Sequence, residues 1–387
     1  MPEPRTAARV ADIGAFHVMD ILARAHALEA AGRDIIHLEI GEPDFPTPAP
    51  ISEAGIAALR AGHTRYTGAL GLPALRESIA QFHATRWQCA VEPERIVVTP
   101  GASGALLLAL GLLAGPGDEV LMADPGYPCN RHFARFCDAS AVSVPVDASS
   151  GFQLTLEQIM RHATPATRAV LVASPSNPTG TAIPPAELAR IHDWCGAQGV
   201  ALIVDEIYLA LTYDGGEHSA ARWNDVFVVN SFSKYFLMTG WRLGWLLAPA
   251  WAMPALERLA QNLFLAAPTP AQHAALAAFS PDTLAELEAR KTELRDRRDF
   301  LLPALRDRGF AIPTQPQGAF YLYADCSAHT DDSFHFAQAL LEQVGVAVTP
   351  GLDFGQHQPQ RYLRIAYTQP LPRLIEAIVR LDGFLGK

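Results

Sequence analysis

"VALIVDEIY", residues 200–208, runs through five apolar residues and turns polar at Asp205 and Glu206. A short β-rich run without polar alternation reads as a strand buried on both faces. Three further runs share that form: "RIVVTPGAS" (95–103), "RAVLVASPSN" (168–177) and "VFVVNSFSK" (226–234). Helix-like stretches lie between several of them. "GALLLALGLLA" follows the first, and "PPAELARIHDWCGAQG" follows the second, with proline near its start and glycine at its end. Strands alternating with helices imply parallel pairing, so the chain reads as α/β with a sheet covered on both sides. Each run becomes polar at its carboxyl end, where open parallel sheets bind ligands. The four ends are expected to converge on one crevice.

Composition narrows what that crevice serves. The 387 residues carry 49% hydrophobic and 18% charged side chains, a globular composition. The balance of 30 basic against 40 acidic residues, formally −10, has the wrong sign for a nucleic-acid binder and points to a small-molecule partner. The longest strongly apolar stretch, "ALLLALGLLAG" (105–115), falls far short of the ~20 residues a membrane helix needs. The opening "MPEPRTAARVADIGAFHVMD" lacks a basic region followed by an apolar one, so no secretory signal is read and a cytoplasmic location is expected. Cys89, Cys129, Cys137, Cys195 and Cys326 are scattered and lack paired spacing. Neither a disulfide framework nor a metal site is expected.

The character of the chain changes near residue 281. "PDTLAELEARKTELRDRRDFLLPALRDRG" has a long amphipathic helical pattern, and "GAFYLYADC" and "RYLRIAYT" read as strands of a smaller layer. The expected division is a large ligand-binding domain over 47–281 and a small α+β domain over 282–387. Residues 1–46, including "IIHLEIGEPDF", supply an arm and part of the small domain.

Lys234 stands in "SFSKYFLMTGWRLGW" (231–245), with no other lysine within fifty residues on either side. Loop lysines are ordinarily solvated. This one follows an apolar strand and precedes "YFLMTGW", so both flanks read as buried. Desolvation lowers an amine's pKa and suits it to forming a Schiff base with an aldehyde. An aldehyde carrying a phosphate would need an anion cradle. "PGASGALLLAL" offers a glycine-rich turn into a helix start, Ser231 and Ser233 offer hydroxyls, and Arg242 offers a bidentate fork. Asp205 reads either as a cap at the strand exit or as the counter-ion of a protonated ring nitrogen. Tyr208 lies three residues on, and Asn177 in "SPSNPTG" is either a turn residue or a ligand group.

Taken together, "SPSNPTG", "DEIY" and "SFSKYFLMTGWRLG" resemble the class I/II aminotransferases, fold-type I enzymes that depend on pyridoxal 5′-phosphate. The resemblance extends from "GEPDF" (41–45) through "YTGALGLPALRESIA", "GDEVLMADPGYP" and "GAFY" to "YLRIAYT". It implies a mostly parallel seven-stranded sheet sandwiched by helices, with a smaller α+β domain. It also implies that Lys234 carries the cofactor as a Schiff base and moves the substrate proton, that Asp205 pairs with the ring nitrogen, and that Asn177 and Tyr208 bond its phenolic oxygen. Tyr127 would stack on the ring. Gly101, Ala102, Ser103, Ser231, Ser233 and Arg242 would hold the phosphate, joined by Tyr66 from the neighbouring subunit of a homodimer with shared active sites. Arg364 would clamp the substrate α-carboxylate, with Gly41 closing on it and Asn177 beside it.

Some aspartate-using members carry a lysine in the phosphate loop, where this chain has Ser103, and the amino-terminal segment "GAFHVMD" offers Phe16 and Met19 rather than a basic residue. A neutral or hydrophobic donor is therefore expected, such as alanine or a branched-chain or aromatic amino acid, with 2-oxoglutarate or pyruvate as acceptor. A C–S β-lyase of the cystathionine-cleaving type shares fold and lysine motif and is the alternative. A ligand-sensing regulator would carry an added DNA-binding domain, and no basic stretch precedes "GEPDF".

Overall fold

A computed structural model of the chain describes residues 5–214 and 216–386. The first four residues of the expected amino-terminal arm thus lie outside the described residues. In chain order the strands are β1 (Ile36–His37), β2 (Ile96–Thr99), β3 (Glu119–Asp124), β4 (Ser140–Pro145), β5 (Thr167–Ala173), β6 (Ala201–Asp205), β7 (Phe227–Ser231), β8 (Gly244–Leu247), β9 (Tyr321–Asp325), β10 (Val346–Ala347), β11 (Thr349–Pro350) and β12 (Tyr362–Ala366).

Seven of them form the central sheet in the order β2-β8-β7-β6-β5-β3-β4. From β7 to β4 every pairing is parallel. Along β6, Leu202 and Val204 enter one apolar cluster while Ile203 enters the other. Both faces are therefore buried, which is why the run shows no polar alternation. The helices Gly101–Leu113 and Met253–Leu263 cover the Ile203 face. The helix Pro185–Gln198 begins with proline in its first turn and ends at Gly199, whose φ of 67° only glycine adopts freely.

One expectation is corrected. The 95–103 run, read as pairing in parallel, is an edge strand, and its one neighbour β8 runs antiparallel to it. Only residues 232–243 separate β7 from β8, and no crossover helix fits there, so the chain must return antiparallel. The pattern also left β3, β4 and β8 unread as strands. β4 is largely exposed or half-buried, as an outermost strand can be, and β8 has four residues.

A second, antiparallel sheet has the order β11-β12-β9, with Arg364 opposite Tyr323. β1 pairs in parallel with β10, which ties residues 36–37 to the carboxyl-terminal region. The helices Pro281–Arg306, Ser333–Val344 and Leu371–Leu385 pack around these strands. A helix at His17–Ala30 lies against them through Ile21, Ala25 and Leu28.

Candidate active site

The carboxyl ends of β5, β6 and β7 and the start of the Gly101–Leu113 helix open on one cavity of about 310 Å³. Ala173, Asp205, Ser231 and Ala102 mark those four ends in its wall. Of the residues singled out in the sequence, Phe16, Gly41, Ala102, Ser103, Tyr127, Asn177, Asp205, Tyr208, Ser231, Ser233, Lys234, Arg242 and Arg364 all line it. Gly101 is outside the lining but starts the helix beneath it. Tyr66 stands apart, 80% exposed.

The Lys234 side chain reaches from the loop after β7 into this space. Its Nζ donates to the Gly41 carbonyl at 2.6 Å and sits 5.7 Å from the centre of the Phe320 ring. Burial lowers its pKa to about 8, with Glu42 opposing and the Arg364 and Arg242 charges assisting. The amine therefore gains its free lone pair as pH rises through about 8, not near 10.5. Asp205 is buried, and among the described residues the one hydrogen bond to its carboxylate is from the Ile207 N–H at 3.1 Å. It thus caps a local turn, yet among the described residues no cation lies within ion-pair distance of it, and burial raises its pKa to about 6 against the opposing charge of Lys234.

The Tyr208 hydroxyl meets that of Tyr321 at 2.9 Å, and burial lifts its pKa well above the ordinary phenol value. Burial raises Tyr127 in the same way. Arg364 projects from β12 and is almost wholly buried. Nη1 donates to Asn177 Oδ1 at 3.2 Å, and Nη2 donates to Thr349 Oγ1 at 3.2 Å and to the Glu39 carbonyl. The guanidinium lies over the rings of Tyr321 and Phe354, 4.5 and 4.9 Å from their centres. Its Nε is buried with no partner among the described residues. A buried donor left over on a cation is suited to an incoming carboxylate.

A cluster of donors occupies the other end of the cavity. Ser231 Oγ donates to the Leu243 carbonyl at 3.1 Å and lies 2.9 Å from Ser233 Oγ. Arg242, held at a φ of 54°, donates from Nη1 to the Thr239 carbonyl at 2.9 Å. Gly101 has a φ of 73°, and a Cβ there would come 2.7 Å from Arg242 Nη2. A Cβ on Gly244 would meet the Gly101 carbonyl carbon at 2.8 Å. Two hydroxyls, a guanidinium and a helix start lie close together here, a set of donors whose chemistry suits an anion.

The sequence reading missed Tyr321, Thr349, Thr239 and Glu42. Thr239 donates to Glu42 Oε1, and both line the cavity. Tyr321 closes "GAFY", a stretch within the resemblance, but was given no role beyond its place in the strand "GAFYLYADC". The apolar part of the wall consists of Phe16, Val18, Met19, Leu22, Ile40, Leu106 and Ile207, and its cations are Lys234, Arg242 and Arg364. Ser103 adds no charge there.

The family model for aminotransferase class I and II matches residues 33–380. A valine–pyruvate aminotransferase of Mycobacterium tuberculosis is 40% identical over 378 residues, 97% of each chain. An arginine–pyruvate transaminase of Pseudomonas aeruginosa is 38% identical over 351 residues, 90% of this chain and 89% of its own. The solved structure of an aspartate aminotransferase from Thermus thermophilus with maleate superposes with a TM-score of 0.92 at 32% identity, covering 98% of this chain and all of its own.

Proposed function

Because the chain belongs to the aminotransferase class I and II family, we propose that its cavity takes pyridoxal 5′-phosphate at Lys234 and serves a neutral or hydrophobic L-amino acid as donor. Transamination between amino acids and 2-oxo acids comes with the family, and nothing in these relatives favours carbon–sulfur cleavage. The observation that carries the reading is that one cavity joins a desolvated amine, a buried unpaired carboxylate, a donor cluster and an arginine with an unused N–H.

The residues present fit that cofactor. Ser231, Ser233, Arg242 and the backbone of 101–103 would hold its phosphate, helped by the close approach that Gly101 permits. Asp205 would face the ring nitrogen, Asn177 and Tyr208 the phenolic oxygen, and Tyr127 the ring. When bound, the pyridine ring supplies the electron sink for the pair left at the substrate Cα.

The chain supplies the rest. Lys234 Nζ, neutral above about pH 8, can attack an aldehyde and later carry a proton to and from Cα. A carboxylate at Asp205 favours a protonated neighbour and so strengthens the sink. Arg364 fixes the α-carboxylate and thereby the direction of the Cα–H bond. The apolar wall from Phe16 to Leu22 has no cation to receive a second carboxylate. Two relatives named for pyruvate support pyruvate, which carries a single carboxylate, as the acceptor.

The same reading makes the protein a homodimer in which Tyr66 serves the partner's site; its 80% exposure away from its own cavity supports this. It also divides the chain at 46 and 281. No described helix is long and apolar enough to cross a membrane, and the proposed location is the cytoplasm. A panel of amino donors against pyruvate and 2-oxoglutarate, scored by product mass spectrometry, tests the donor class. Valine, leucine or phenylalanine should outrun aspartate and glutamate; a clear preference for the acidic donors would refute it.

A further inference from the structure

Glu39 lies on the chain just after β1, and its side chain is fully buried. Its Oε1 meets His37 Nδ1 at 2.7 Å, while Oε2 has no partner among the described residues. Its main-chain carbonyl accepts from Arg364 Nη2 and, at 2.9 Å, from Thr349 Oγ1. One residue therefore joins a buried acid to the support of the carboxylate-binding arginine. We propose that His37 is a positioning residue for substrate binding: braced between Glu29 and Glu39, its imidazole fixes the carbonyl on which the Arg364 guanidinium rests.

The brace spans two elements. From the His17–Ala30 helix, Glu29 Oε1 lies 3.1 Å from His37 Nε2, and the His26 ring lies 5.9 Å from the His37 ring. From its own segment Glu39 faces it, and β10, paired with β1, presents Val346 and Ala347. A carboxylate buried this deeply cannot be left alone, since breaking a buried pair is far costlier than losing a surface one. If the imidazole leaves, Glu39 must turn toward water, and its carbonyl moves with it.

The hydrogen bond that His37 donates to Glu39, aided by Glu29, raises the His37 pKa to about 9 against the effect of burial. The folded value lies above the unfolded one, so the stability from this charge is fully present below pH 6.5 and is lost as pH rises through about 9, where the ring gives up its positive charge and one of its two N–H donors. KM for the amino acid and for the 2-oxo acid, which share the α-carboxylate, should rise together across that limb.

The inference rests on the reading of Arg364 as the carboxylate site, and the experiment separates the two. Steady-state kinetics of holoenzyme from about pH 7 to about pH 10 would compare wild type, His37→Gln, Glu29→Gln and Arg364→Lys. His37→Gln should raise both KM values roughly five- to tenfold with kcat within about twofold, and should lose the pH limb. Glu29→Gln, which leaves the Glu39 contact intact, should shift the limb to lower pH. If Arg364→Lys leaves KM unchanged, the underlying reading fails. If Arg364→Lys raises KM while both other variants keep wild-type values and the wild-type limb, the inference about His37 is overturned. Should His37→Gln not fold, Glu29→Gln decides alone, because Glu29 lies at the surface with 41% of its side chain exposed.

Discussion

Adding one methyl group at Gly41 should disable the site, and removing one oxygen elsewhere should restore much of it. A Cβ on Gly41 would fall inside contact distance of Tyr321 Oη, with Cζ next at 3.2 Å. Tyr321 cannot step aside: it is 1% exposed, its hydroxyl meets Tyr208, and Arg364 lies over its ring. The Gly41 backbone is equally constrained, since its carbonyl takes the Lys234 amine. Overpacking of this kind costs about 1–3 kcal/mol, which as lost transition-state stabilisation is roughly 5- to 150-fold in kcat/KM. Tyr321→Phe alone loses one hydrogen bond, about 1 kcal/mol or roughly fivefold. In Gly41→Ala/Tyr321→Phe the nearest atom becomes Cζ, which a shift of a few tenths of an ångström relieves. The double variant should therefore return close to the Tyr321→Phe value, a coupling of about 1 kcal/mol or more. The assay is kcat/KM with the best donor, alongside melting temperature. A double variant whose loss equals the sum of the two single losses would refute the steric argument.

Asp205→Asn should act in opposite directions on stability and rate. Because the folded Asp205 holds its proton more tightly than the unfolded one, its charge opposes folding increasingly between pH 3.8 and about 6. The cofactor-free variant should thus be more stable at pH 7 by roughly 1–3 kcal/mol, while turnover of holoenzyme falls by about 10²-fold or more; thermal denaturation and kinetics check the pair. Gly101→Ala must adopt a left-handed φ at about 1–2 kcal/mol and press on Arg242 Nη2, so cofactor affinity by equilibrium dialysis should weaken at least about tenfold. The rate at which cofactor-free protein captures pyridoxal phosphate should rise with pH through about 8, not near 10.5 as for free lysine; a profile that rises only above pH 10 would contradict the desolvated amine.

The sequence could disclose whatever depended on local order. Asp205, Tyr208 and Lys234 follow apolar strands directly, so the parallel sheet brings them to one edge, and the crevice could be read from β5, β6 and β7. Gly101 announced itself because a tight strand-to-helix turn needs glycine. Tyr321, Glu39 and Thr349 gave no such signal. Tyr321 and Glu39 reach the cavity, and Thr349 supports Arg364 behind it, from the second sheet and the segment following β1, contacts that form only when distant parts of the chain meet. The direction of β8 escaped for a related reason: four residues carry too little pattern, and the loop that reverses them was read for its lysine and arginine. The aminotransferase motifs named the chemistry, and "GAFHVMD" offered Phe16 and Met19, while Val18 and Leu22 joined that apolar wall only with the His17–Ala30 helix in place.

The central claim is that the Lys234 amine captures the cofactor aldehyde, and lysine occurs in the chain only at 234, 291 and 387. Lys291 is paired with Glu217 at 2.7 Å, away from the cavity. Borohydride reduction of holoenzyme, followed by digestion and peptide mass spectrometry, reads the attachment point directly. The account predicts the pyridoxyl-phosphate mass on the peptide containing Lys234 and its disappearance in Lys234→Ala, together with multiple turnover. A label on Lys291 or Lys387 alone, or undiminished turnover in Lys234→Ala, would contradict it.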